Sequence, residues 1–403
     1  MAGTGTAYAN DYEATFTNPA LLSRLRSRSF SLGYEAAVFN LRATVAENAN
    51  IDFVRYMPFK SSIIAIAVPL PLRGALKDRI GVSFAFSTPM SLIVRGRIVY
   101  PERGQFPLLP DRAQSLAIRM GLGVDLGHGL RVGAGFAALS QVVGSVIVAT
   151  DASGKVGSRV EDELVATYAP IVGVSYERSV LQNQTLRVGA TFRGQLAARF
   201  AIDIDATKLS SLPLPVFNIA GTAQFDPMQV QAEIALEGEH GVVALGATYK
   251  RWSAFKGLLE PTIPCPPEAC NALRPPVIDY SDTVTPRGAA EGRFDLTKSL
   301  TASVRAGIAY EPTPLPEQLP ASNAFDMTTG KVRAVPTRYY DANRILFSLG
   351  GGIALHDPLP PIRIDVFSQV HALIRRSMKF EQGEDASVSG AVLVGGVAAG
   401  VSF

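Results

Sequence analysis

The chain has 403 residues, of which 47% are hydrophobic and 36 are Gly, and its mean hydropathy is +0.18. Its 38 basic and 35 acidic residues leave a net charge of +3, too small to make nucleic acid a partner. No apolar run approaches the roughly 18 residues of a spanning helix, which excludes helical spans but allows one large barrel or two or three soluble domains.

Residues 1–28 are small, polar and turn-rich, with no helical or strand period long enough to define an element. Met1-Ala2-Gly3 leads into them without a basic region and apolar core, so the expectation is a mature chain from which a signal peptide has been removed. From about Ser29 onward the chain becomes a series of alternating segments. In Ile80–Ser87 the apolar face is Ile80, Val82, Phe84 and Phe86, opposed by Gly81, Ser83, Ala85 and Ser87. Ser115–Leu126 sets Leu116, Ile118, Met120, Leu122, Val124 and Leu126 against Arg119, Gly121, Gly123 and Asp125. Leu186–Gln195, Ala302–Tyr310 and Ile362–His371 repeat the design.

Strands are expected near 29–43, 59–71, 79–88, 112–126, 130–144, 162–178, 186–197, 214–225, 228–253, 290–298, 301–312, 343–355, 362–375 and 391–403. That is fourteen, an even number, which returns both termini to one side of a membrane. The segment 228–253 contains Glu237-Gly238-Glu239-His240-Gly241, which looks like a hairpin turn. Splitting it gives fifteen strands and puts the long loop 254–289 on the wrong side, so it is taken as one interrupted excursion. Tight turns such as Gly127-His128-Gly129 alternate with long loops such as 254–289 and 312–342, the layout of an outer-membrane barrel. The last strand ends on Phe403, with Leu393, Val397 and Val401 on one face. The fold class is therefore all-β: a transmembrane antiparallel β-barrel (29–403) with long extracellular loops, its lumen plugged by an N-terminal hatch (1–28).

Four stretches resemble the outer-membrane long-chain fatty acid transporter (FadL) family. The run through Asn10, Asp11, Phe16, Asn18 and Pro19 to Leu22 is similar to its hatch motif, though Leu21 stands where members often carry Gly. Tyr249–Phe255 is similar to its Trp-Ser-x-Phe strand end, Val304–Pro316 to an Arg-Ala-Gly strand and Pro-rich loop, and Val335–Gly350 to a later strand. The resemblance implies a monomer in the bacterial outer membrane, set among lipid and lipopolysaccharide, without cofactor or metal. It also implies passive uptake of long-chain fatty acids or similar hydrophobic molecules, with lumenal binding and lateral release through the wall. In the family about ten more residues precede the motif and reach the lumenal ligand site, so that gating element is expected to be shortened here.

If the apolar faces meet lipid, Arg119, Arg131, Arg187, Arg193, Lys250, Arg305 and Arg363 line the lumen with Asp125 and Asp365. Arg119, Arg193, Lys250, Arg305 and Arg363 are the candidates for a ligand carboxylate, and pairing with hatch acids such as Asp11 and Glu13 is the structural alternative. Ser87-Thr88-Pro89 is the candidate wall break, because Pro lacks the donor a ladder needs; a plain strand terminator fits as well. Cys265 and Cys270 in a Pro-rich loop suit a small disulfide-closed loop, with two unpaired thiols as the alternative. A zinc site needs about four ligands, and no second Cys/His pair lies nearby. Two other functions remain: a lipid-modifying enzyme such as an acyl hydrolase with His371 as base near Asp365, and a structural or adhesion barrel. Gly-x-Ser-x-Gly, His-Glu-x-x-His and phosphate-loop motifs are absent.

Overall fold

The structure, a computed structural model, describes residues 1–45, 51–54, 56, 58–90, 103–109, 116–150, 156–181, 183–208, 217–257, 277–326, 331–356 and 360–403. A short helix, α1 (Glu13–Thr17), and a 3-10 turn (Pro19–Arg24) precede the strands. The strands begin with β1 (Ser29–Val45), β2 (Ile51–Val54), β3 (Phe59–Pro69), β4 (Ile80–Pro89), β5 (Ala117–Gly127), β6 (Leu130–Thr150) and β7 (Val156–Leu181). They continue through β8 (Gln184–Arg193), β9 (Leu196–Lys208), β10 (Phe217–Asp226), β11 (Gln229–Gly238), β12 (Gly241–Lys250), β13 (Thr283–Thr297) and β14 (Leu300–Glu311). The last are β15 (Gln318–Leu319), β16 (Ala321–Asp326), β17 (Lys331–Pro336), β18 (Arg344–Leu355), β19 (Ile362–Phe380) and β20 (Ala386–Ser402).

Fourteen of these close a ring of antiparallel pairs in the order β1-β3-β4-β5-β6-β7-β8-β11-β12-β13-β14-β18-β19-β20, and β20 returns to β1. The ring leaves no edge, which is what lipid demands of a backbone with no water to pair it. Side chains alternate as the sequence pattern requires. Leu122, Val174, Val188, Ile234, Leu245, Val304 and Leu349 are exposed on the outside, while Arg131, Thr191, Glu233 and Thr248 are buried inside. The chain's last residue is tied to the first wall strand by reciprocal bonds between Arg28 and Phe403.

The expected strand count of fourteen is met, but by different strands. Residues 228–253 form a hairpin, β11 and β12, paired from Gln229↔Lys250 to Gly238↔Gly241, so the turn at Glu239-His240 is a real one. The segment expected at 214–225 is β10, which pairs only with β9 and does not belong to the wall. After Arg193 the chain leaves the wall at Gly194, whose amide donates to the Pro170 carbonyl. It turns inward across the lumenal face, where Leu196 and Ala198 pack on Leu139 and Ala169. β9 then runs parallel to the outer part of β6, above the level where β5 stops at Ala117↔Leu139. The two misreadings cancel, and the long loop after β12 falls on the outer side.

Candidate functional site

Inside the barrel, residues 1–28 lie against one side of the wall. Gly81 on β4, Gly121 and Gly123 on β5, Gly133 on β6, Gly173 on β7 and Gly189 on β8 all face inward, and a Cβ on any of them would collide with this segment. The colliding atoms belong to Leu22, Pro19, Ala20, Asn18 and Thr6. Six glycines on five neighbouring strands thus form a smooth seat, which lets backbone lie directly on backbone. Asn18 fastens the segment there. Its amide donates to the Thr6 carbonyl at 2.8 Å and to the Val174 carbonyl at 3.0 Å, while its oxygen caps the 3-10 turn at the Ala20 amide. Pro19 opens that turn, where its missing N–H leaves nothing unpaired.

A second clamp comes from β11. The Glu233 carboxylate accepts from the amides of Gly5 and Ala7, each at 3.0 Å, and Gln231 accepts from the Thr6 hydroxyl. Burial drives the Glu13 carboxyl of α1 upward, opposed by Arg363. Asp11 adopts a left-handed backbone and accepts from the Ser29 hydroxyl, and Asn10 faces a cavity. Phe16, near the C-terminal end of α1, packs edge-on against Tyr12 and carries the Arg119 guanidinium 4.8 Å above its ring.

Below the seat, the lumenal charges join into one belt. Arg131 reaches Asp125 at 3.3 Å and Glu177 at 2.6 Å; Arg187 reaches Glu177 at 3.1 Å and Glu237 at 2.6 Å. Arg293 links Glu237 at 3.1 Å to Glu291 at 2.6 Å. Arg305 then links Glu291 to Asp365, each at 2.5 Å, and Arg363 closes on Asp365 at 2.6 Å and on Glu13 at 3.3 Å. The belt runs from β5 to β19.

The outer mouth is built differently. Phe106 and Leu108, from the Phe106–Leu109 run, are buried in one apolar core with Tyr340, Leu319, Met378, Phe380 and Val388. Phe225, Trp252, Phe255 and Tyr280 stack in the same core, with Phe225 and Phe255 ring centroids 4.6 Å apart. Backbone pairing of Gln105 with Arg338 and Tyr340 holds the run in the mouth. Cys265 and Cys270 lie outside the described residues.

Two cavities follow one another along β19. The lower, about 630 Å³, lies between residues 1–28 and the β13–β19 wall, bordered by Glu13, Phe16, Arg305, Arg363, Asp365 and Gln369. The upper, about 180 Å³, sits under Leu108 and Leu109 and is bordered by His371 of the same strand. β3 passes both, with Ile63 at the lower and Phe59 at the upper.

The five expected ligand cations all face inward, but they do not converge. Arg305 and Arg363 belong to the belt, and Lys250 is held by Glu311 at 2.6 Å. Arg193 donates to the Thr17 carbonyl at 3.4 Å, and Arg119 covers Phe16, so these two meet the C-terminal end of α1. Ser87, Thr88 and Pro89 stay paired with β3 as far as Ser61↔Pro89, whereas pairing with β5 ends at Ser87↔Ala117. His371 and Asp365 share a face of β19 but stand about 20 Å apart along it, too far for a base and its orienting acid. The acids Glu177, Glu233, Glu237, Glu291 and Glu311 were not anticipated. Each is an odd-numbered polar position in an alternating strand, which was the available signal.

A closed, lipid-faced barrel with its own N-terminus folded inside is an outer-membrane barrel fold. No protein-family model and no curated relative matches the chain. Among solved structures, a Pseudomonas aeruginosa FadL homologue is similar at 15% identity and a TM-score of 0.62, over 100% of this chain and 96% of that one. The Pseudomonas putida toluene transporter TodX is similar at 14% identity and a TM-score of 0.57, again over 100% and 96%. A TodX mutant described as a monoaromatic hydrocarbon channel gives 14% and 0.54, over 100% and 97%. The resemblance read from the hatch motif thus holds at the level of fold: this is a FadL-type barrel.

Proposed function

We propose that the chain is a channel of the bacterial outer membrane for passive uptake of long-chain fatty acids or similar hydrophobic small molecules. Entry is at the apolar mouth, binding is in the lumen, and release is lateral, at the outer end of β4 where Ser87, Thr88 and Pro89 outrun their β5 partners. The hatch, residues 1–28, acts as the stopper. The observation that carries this reading is the alignment of the two cavities along β19, one beneath the mouth and one beside the stopper, both with largely apolar linings. Each buried CH₂ gains roughly 0.8 kcal/mol on leaving water, so an apolar solute is drawn to the mouth without an energy source. The fold is shared with a FadL homologue and with a protein described as a toluene transporter, which supports the same class.

The test is uptake of labelled oleate and labelled ethylbenzene by Gram-negative cells lacking their own hydrophobic-compound channel, whose lipopolysaccharide slows unaided entry. Expression of the chain is expected to raise the initial rate for at least one of the two. Rates equal to those of empty-vector cells for both would reject the channel reading.

A further inference from the structure

The upper cavity carries information about its ligand that the belt and the hatch do not. Its walls are mostly apolar: Phe39, Phe59, Leu108, Leu109, Val392 and Val394. Its polar groups are Glu35 of β1, the Glu311–Arg344 pair and His371. The Arg344 guanidinium is already engaged, by Glu311 at 2.7 Å and by Asp341 at 3.4 Å, and Lys250 holds the other Glu311 oxygen. Glu35 differs. Among the described residues it makes no hydrogen bond or ion pair, and the charge of Arg119 reaches it only through space. The lining thus holds two carboxylates against one guanidinium, with the unspent acceptor on Glu35.

We infer that this cavity is a binding site for a small, uncharged aromatic molecule carrying a hydroxyl, whose O–H donates to Glu35. Three physical points support the class, and all rest on the channel reading above. Size comes first: a volume of 180 Å³ is close to the roughly 150 Å³ apolar cavity that holds a benzene ring, and a long acyl chain is far larger. Charge comes second, because the cavity's guanidinium, Arg344, is already held by Glu311 and Asp341, and a ligand carboxylate here would meet the unpaired carboxylate of Glu35. Hydrogen bonding comes third: Glu35 accepts from a hydroxyl whether it is ionised or protonated, so an O–H satisfies an acceptor that a plain hydrocarbon would leave dry. A fatty acid would use the mouth only by its tail.

The experiment is calorimetric titration of the detergent-solubilised full chain with 4-ethylphenol, ethylbenzene and 4-ethylbenzoate. The wild type is expected to bind the phenol most tightly and the benzoate most weakly. Glu35→Leu is expected to weaken the phenol roughly tenfold while leaving ethylbenzene unchanged or stronger. Val394→Trp, which fills the cavity, is expected to abolish both, and Glu35→Gln serves if the leucine variant fails to fold. Benzoate binding as tight as phenol binding, or an equal loss of all three ligands in Glu35→Leu, would overturn the inference. Phenol selectivity without cellular uptake would sink the channel reading alone, and uptake without phenol selectivity would sink only this site.

Discussion

The two ends of the lumen are closed by opposite means. At the inner end, a polar segment is laid on bare backbone, clamped by Asn18 and Glu233 and set beside a belt of ion pairs. At the outer end, loops bury large apolar side chains against one another, with Phe106 and Tyr340 almost wholly out of solvent. Hydrogen bonds and ion pairs are directional, so the inner closure fixes one position. Apolar packing is non-directional and tolerates rearrangement at modest cost, so the outer closure can part around an oily solute and close again. On the channel reading proposed above, the difference assigns each job its place: the mouth admits, and the stopper holds.

The sharpest way to break this contrast is to spoil the seat. Gly133→Leu places a branched side chain where the backbone of Pro19 and Ala20 lies, and Gly173→Leu does the same at Asn18. At Gly133 the obstacle is main chain, which no rotamer change can absorb, and at Gly173 it is the Asn18 side chain, whose hydrogen bonds would have to break for it to move. Overpacking of this kind costs about 1–3 kcal/mol or more, enough to shift the seated population by roughly tenfold. Single-channel conductance in planar bilayers is expected to rise from near-closed to steadily open for either variant. A deletion of 104–109 in the mouth is expected to leave the ionic conductance low, since the inner stopper is intact. If the mouth deletion conducts and Gly133→Leu does not, the roles assigned to the two ends are reversed.

The outline of this architecture was legible in the sequence because lipid enforces a period of two on every wall strand. Leu122, Val188 and Val304 could be placed outside, and Arg131, Arg187 and Arg305 inside, from alternation alone. What alternation cannot tell is which alternating strand is in the wall. β10 has a strand-like pattern yet pairs only with β9, and nothing in Phe217–Asp226 announces that the chain has already turned inward at Gly194. The inward glycines were readable as small positions, but their purpose depends on a segment far away in sequence, as with Asn18 and Val174. The same holds for the belt. Arg187 meets Glu177 across a hairpin and Glu237 across β8 and β11, and only the register of both ladders shows that the cations are neutralised and not free for ligand.

A test of the belt sharpens the comparison at the next level of effect. Arg187 is 11% exposed and bridges two carboxylates, so Arg187→Ala leaves Glu177 and Glu237 facing a gap. Removing one cation from such a network costs up to about 3 kcal/mol, since the buried carboxylates lose a shared partner even though Glu177 keeps Arg131 and Glu237 keeps Arg293. Thermal unfolding in detergent is expected to show a clear drop in midpoint. Arg187→Met paired with Glu237→Leu is expected to recover much of it, because both charges then leave together.

The smallest effect belongs to the outer extension, where β6 and β7 continue beyond the level at which β5 stops. There Arg159 pairs with Glu161 at 2.6 Å, a shorter contact than Arg187 makes with Glu177, yet its side chains are 75% and 54% exposed. Distance alone would rank it above the belt. Solvent reverses the order, since water and salt screen an exposed pair to about 0–1 kcal/mol. Arg159→Ala is expected to move the unfolding midpoint little at any salt concentration, while the Arg187→Ala deficit persists in high salt because the belt is shielded from bulk ions. Equal shifts for the two variants would mean that the lumen around the belt is as wet as the outer surface, and the stopper would then owe its position to the glycine seat and the Asn18 and Glu233 clamps alone.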